Sequence, residues 1–197
     1  MARSEEQNRQ ARERARESIL SSAIELFAER GVHGATIAEI TGRAGVAQGL
    51  VNYHFGGKDQ LIGEIVDRWF RLLIGFPTAR TGSADDRLRG IIEGTFAAAS
   101  ANLLLHRAVS TMQQDPAQLR FFAEAAGRNA EGVAAAELAV RGIFAERGAV
   151  DPALEEAMLR TTLEGIVLKY AAVGDTFPIG GARRWVLGLY GLDAEDS

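Results

Sequence analysis

The chain has no cysteine, which excludes disulfides, thiolate metal sites and cysteine nucleophiles. Histidine is nearly as scarce. His33, His54 and His106 are the only ones, and none stands three or four residues from another, so the two-histidine metal site that a helix can build is absent. Lysine occurs only as Lys58 and Lys169, against 20 arginines. No apolar run approaches the roughly 18 residues that a membrane-spanning helix needs. The polar, charged N-terminus lacks the apolar centre of a secretory signal. A cytoplasmic location is therefore expected. Missing too are the G-x-S-x-G elbow, the P-loop and H-E-x-x-H. Acids such as Glu93, Glu124 and Glu164 occur in the second half, but none forms a spaced pair with a nucleophile or a metal ligand. Neither an enzyme, a cofactor nor a metal is expected.

What is present suits a globular protein. The 197 residues are 47% hydrophobic and 24% charged, enough for one large domain or two small ones. The net charge of −4 is uneven. Residues 1–58 carry eight basic and seven acidic groups, whereas residues 59–197 carry 14 and 19. Arg3, Arg9, Arg12, Arg14 and Arg16 crowd the N-terminus. That distribution fits a DNA-binding head on an acidic body, or simply a solvated helix of mixed charge.

The periodicity is helical throughout, and no alternating run is long enough for a strand. A first helix spans about 11–30, burying Ile19, Leu20, Ala23, Ile24, Phe27 and Ala28, and stops at Gly31. Thr36 with Glu39 forms a capping box that opens a second helix, which runs to about Ala44. Gly45 suits the left-handed turn after it. A short third helix covers about 47–53. A fourth runs from Lys58 to about Phe76, until Pro77 and the polar stretch 78–83 break the pattern. Further helices are expected at about 84–101, 103–113, 116–147, 152–173 and 179–191. Asp115-Pro116 and Asp151-Pro152 provide N-cap carboxylates followed by proline at the first helical position. The fold class expected is all-α, with about nine helices.

Residues 36–58 read TIAEITGRAGVAQGLVNYHFGGK. Two short helices joined at Gly45 make a helix-turn-helix, whose second helix is sized for the DNA major groove. Val46, Leu50, Val51 and Phe55 are suited to hold that helix on a core. Gln48, Asn52 and Tyr53 then project outward. Glutamine and asparagine pair with adenine edges, and a tyrosine hydroxyl can meet phosphate. Gly49 permits close approach. Lys58, at the start of a helix, can hold a phosphate together with backbone N–H groups.

Over roughly residues 16–62, the elements LFAERG, AGV-x-x-G, YHF and G-K-D resemble the tetracycline-repressor (TetR) family. The resemblance implies an N-terminal three-helix DNA-binding head at 1–58. It further implies a body at 59–197 that binds a small effector and pairs through its last two helices in a homodimer. By the same resemblance Thr36 holds a backbone phosphate, and Gln48 and Gly49 begin the groove-facing helix. Tyr53 and His54 belong to the family's aromatic pair, and Lys58 is its phosphate-binding lysine. Two positions depart from the pattern. Ala47 replaces a common serine or threonine, losing a cap or phosphate contact, about 1 kcal/mol as a cap. Asn52 replaces a common tyrosine.

In the body, His106 is either a satisfied core histidine or a polar group lining an effector cavity. Trp69, Phe70, Phe96, Leu103, Met112, Phe121 and Phe122 are the other candidate walls, although helical spacing alone would place each in the core. Leu154, Met158, Thr161, Gly165, Leu168 and Ala172 form a second apolar face on a helix that also carries Leu159, Leu163 and Ile166. Burial on two sides is then expected, one against a twin. Trp185, Val186 and Leu189 extend that face. The functional expectation is a ligand-responsive transcriptional regulator, a repressor released from a near-palindromic operator, with the fourth helix as lever. The competing readings are a helical small-molecule-binding or interaction protein without DNA binding, and a helical enzyme.

Overall fold

Helix caps written into the sequence punctuate most of the chain. The structure is a computed structural model that describes residues 2–78 and 81–192, with side chains at 5–75 and 81–192. Ten α-helices and two 3-10 turns make up the described residues, with no strand. They run α1 (Ala2–Arg30), α2 (Ile37–Ala44), α3 (Gly49–Phe55), α4 (Lys58–Thr78), α5 (Ala84–Ala101) and α6 (Leu103–Gln113). After a 3-10 turn at Pro116–Gln118 come α7 (Leu119–Arg128), α8 (Ala130–Glu146) and α9 (Pro152–Val173). A second 3-10 turn at Gly174–Thr176 precedes α10 (Ile179–Leu189).

The expected caps form. The Thr36 hydroxyl accepts from the Glu39 amide, and the Glu39 carboxylate accepts from the Thr36 amide at 2.8 Å. Gly45 takes φ 69°, a conformation costly for residues with a Cβ, and turns the chain between α2 and α3. Asp115 and Asp151 cap their helices ahead of proline. Ser83 and Asp86 add a capping box at the start of α5.

Four boundaries differ from expectation. Helix α1 begins at Ala2, because the polar segment consists of good helix formers with local pairs such as Gln10 to Glu6 at 2.8 Å. Helix α3 spans Gly49–Phe55, later than expected at both ends, and Gly56 at φ 84° closes it. Helix α4 continues through Pro77 to Thr78; of the expected break at 78–83, residues 79–80 lie outside the described residues. The stretch 116–147 is two helices after a turn, not one. At the junction the Asn129 amide donates to the Ala125 carbonyl at 2.8 Å and to Asp67 of α4 at 3.1 Å. A side chain bonded in this way competes with the helix and docks its break against α4.

Two cores result. The first joins α1–α4 to α6 and α7, through Phe27, Ile40, Val51, Leu61, Leu105, Met112 and Phe121 among others. No gap therefore separates the N-terminal head from the near half of the body. The second joins α5, α8, α9 and α10 around Ile92, Phe144, Leu163 and Val186. Gly132 lets α8 come close to α4, since a Cβ there would lie 3.2 Å from Ile74.

Candidate nucleic-acid interface and ligand cavity

In the head, α3 has one fully buried side chain, Val51, and half-buried Leu50 and Phe55 packed on the same core. The opposite face holds exposed Gln48, Gly49 and Asn52, together with Tyr53, which is 63% exposed. His54 is half-buried and meets the Tyr53 ring edge-on at 4.9 Å. A Cβ on Gly49 would touch nothing within 4 Å, so no protein neighbour explains that glycine. Ala47 is exposed, and no side chain caps α3.

The head's polar groups are largely committed. The Thr36 hydroxyl donates to Glu39 at 2.9 Å as well as capping α2. Lys58 turns inward: its ammonium donates to the carbonyls of Val32 at 2.7 Å and Ala35 at 2.5 Å. Burial holds its pKa below the ordinary lysine value, opposed by Asp59 and Glu39. Arg43 makes a bidentate pair with Glu29 at 2.8 and 3.0 Å. Arg16 pairs with Glu64 at 3.1 Å and lies over the Phe55 ring. Arg12 and Arg14 stand exposed on the N-terminal arm of α1.

Between the two cores lies a cavity of about 830 Å³. Trp69, Phe70, Leu73 and Phe122 supply aromatic and aliphatic wall from α4 and α7, with Trp69 edge-on to Phe70 at 5.2 Å. On α6 His106, Ser110 and Gln113 face the cavity, whereas Leu105, Ala108 and Met112 face the head; Val109 stands between, packed in the first core and touching the cavity. On the far side α9 contributes Glu156, Leu159, Arg160, Leu163 and Glu164. His106 is buried, its Nε2 has no hydrogen-bond partner among the described residues, and burial lowers its pKa to about 4. Glu156 is also buried. One of its oxygens accepts from Arg160 Nε at 2.9 Å, and the other has no hydrogen-bond partner among the described residues.

The description "Bacterial regulatory proteins, tetR family" matches residues 19–65, which cover α1 from its first buried residue through α3 and into α4. Over residues 19–65 the chain is similar to the tetR family. A transcriptional repressor of Mycobacterium tuberculosis is 48% identical over 56 residues, 28% of this chain and 30% of that protein. The regulator BetI of Escherichia coli is 33% identical over 89 residues, 41% of this chain and 44% of BetI. The chain thus matches less than half the length of these curated relatives. Its whole fold is similar to that of the regulator FadR from Bacillus subtilis in complex with stearoyl-CoA. The TM-score is 0.68 at 20% identity, covering 87% of this chain and 95% of FadR.

The structure sorts the residues expected from sequence. Gln48, Gly49, Asn52 and Tyr53 share one open face. Lys58 does not join them: its ammonium is used within the protein, donating to the Val32 and Ala35 carbonyls of the α1–α2 connection. Of the cavity residues, Trp69, Phe70, His106 and Phe122 are brought together. Met112 and Phe121 belong to the first core and Phe96 to the second. Leu103 is half-buried and outside the walls. Leu154, Met158, Thr161, Gly165, Leu168 and Ala172 are exposed along α9, with Trp185 and Leu189 exposed on α10; Thr161, Gly165 and Leu168 also line the cavity. Val186 is fully buried in the second core, so it cannot meet a twin. Sequence reading missed Glu137, Glu156 and Arg160. The signal was the i, i+4 series Glu156–Arg160–Glu164 on an otherwise apolar helix. Glu93 and Glu124 instead pair with Arg183 and Arg128.

Proposed function

We propose that the chain is a homodimeric, ligand-responsive transcriptional regulator that represses from a near-palindromic operator in the cytoplasm. The observation that carries this reading is the α3 face. Gln48, Asn52 and Tyr53 stand exposed on a helix whose back is fixed by fully buried Val51, and Gly49 faces open space. Gln48 and Asn52 read base edges, while Tyr53 and the arginines of the arm meet phosphate. The repressor sense rests on the named activity of the M. tuberculosis relative. Two heads in a two-fold dimer enter successive major grooves about 34–36 Å apart.

The exposed apolar stripe on α9, with Trp185 and Leu189 of α10, supports the dimer, because a face of this kind is costly in water. The cavity supports the ligand response. Helix α6 presents one stripe to the cavity and the other to α1, and α4 likewise touches both head and body. A ligand that favours one setting of these helices changes the head spacing and, by linkage, DNA affinity.

A mobility-shift assay with the DNA upstream of the chain's own gene tests the reading. A discrete complex that weakens as salt rises is expected. Binding that ignores sequence and salt, or no binding, would count for a helical protein that does not act on DNA. Leu154→Arg, on the part of the stripe outside the cavity, should convert the dimer to monomer in sedimentation; an unchanged mass would reject this face.

A further inference from the structure

The cavity joins a largely apolar interior to an uneven set of charges. Glu137, Glu156 and Glu164 all line it, and Arg160 stands among them, 4.0 Å from Glu137, 2.9 Å from Glu156 and 3.9 Å from Glu164. Arg141 of α8 adds a second guanidinium: its Nη2 donates to Glu137 at 3.2 Å but stops 3.8 Å from Glu156 Oε2, beyond hydrogen-bond reach, and its buried Nε has no hydrogen-bond partner among the described residues. Three carboxylates thus face two guanidiniums. Glu156 is 3% exposed and its Oε2 has no hydrogen-bond partner among the described residues. A buried carboxylate oxygen left without a donor costs more than an apolar group in its place. It persists where something else supplies the donor. His106, 7% exposed, leaves Nε2 without a partner in the same cavity.

We infer that the ligand of this cavity is an amphiphile with an apolar body and a cationic, N–H-donating head that the Glu156 carboxylate receives. The inference rests on the regulator reading for its biological meaning, but its chemistry is separate. The ammonium supplies the hydrogen bond that Oε2 lacks and offsets the excess negative charge around Arg160. Trp69, Phe70 and Phe122 receive the apolar body, and their ring faces also tolerate a cation. An anionic head of the same length would add a fourth negative group to two guanidiniums and leave Oε2 unpaired.

Calorimetric titration of the full chain, without DNA, with decylamine, decanol and decanoate below their micelle-forming concentrations tests this. Decylamine is expected to bind at least tenfold more tightly than decanoate, with decanol between them. Glu156→Gln should remove most of that preference while leaving decanol affinity within about twofold. Because Glu156 also holds Arg160, Glu164→Gln and Glu137→Gln are tested beside it, and each should narrow the amine-to-acid ratio. Equal or tighter decanoate binding, no binding of any of the three, or an unchanged ratio in all three variants would overturn the inference. A chain that binds decylamine but no DNA would overturn the regulator and leave the ligand chemistry standing. DNA binding with a decanoate preference would do the reverse.

Discussion

Head and body are both built from amphipathic helices, yet they treat buried polar groups in opposite ways. In the head, several polar groups that turn inward find partners. Thr41 donates to the Ile37 carbonyl at 2.9 Å, Ser18 donates to the Ala44 carbonyl at 3.0 Å, and Lys58 closes the α1–α2 connection. In the body, His106 and Glu156 present atoms to the cavity with no partner among the described residues. A satisfied interior makes a rigid platform, which a recognition helix needs to present side chains in register. An interior with its polar demand left open suits the proposed receptor, because a ligand would complete it. The two meet in one core, where α6 turns one stripe to each.

The largest expected effect breaks that shared core. Phe27→Ala removes a fully buried ring between head and body and should cost about 3–5 kcal/mol. Urea unfolding followed by Trp69 fluorescence and by helical circular dichroism should shift together. A head transition separate from that of the body would show that the core is not shared energetically.

The next contrast is in pH. The folded pKa of His106, about 4, lies below its ordinary 6.5, so between those values the unfolded chain binds more protons. Stability is therefore lost as pH falls from about 6.5 to about 4, by up to about 3 kcal/mol, and is unaffected above that window. His106→Leu should flatten that part of the stability curve. An unchanged slope would place the titration elsewhere.

Smaller and confined to the head are the DNA effects. Gln48→Ala and Asn52→Ala should each cost about 1–3 kcal/mol at the operator and relax base preference, with thermal stability nearly unchanged. Lys58→Ala should weaken binding at every sequence and also lower the melting temperature, since its ammonium holds the protein's own carbonyls. Weakened binding without a stability change would assign that lysine to phosphate alone. Tyr53→Phe removes one exposed hydroxyl and should cost about 1 kcal/mol uniformly.

The head was legible because its signals are local. A capping box, a glycine in the left-handed region and a one-sided apolar helix are each fixed by residues within four positions. Asp115 and Asp151 announced their helices for the same reason. The break at Asn129 was not legible, because half its cause is Asp67, which lies 62 residues earlier. Nor was the direction of Lys58, whose partners lie across a loop.

By itself, then, the sequence determined the all-helical class, the place of the helix-turn-helix, its outward residues and the exposed stripe on α9. Only tertiary structure decided which apolar side chains wall a cavity and which fill a core. Phe70 lines the cavity and Phe96 fills the second core, and Leu189 is exposed where Val186 is buried, although each is an apolar position on an amphipathic helix. Periodicity reports that a helix has an apolar face; it carries no information about whether the neighbouring helix meets that face closely or stands off and leaves room.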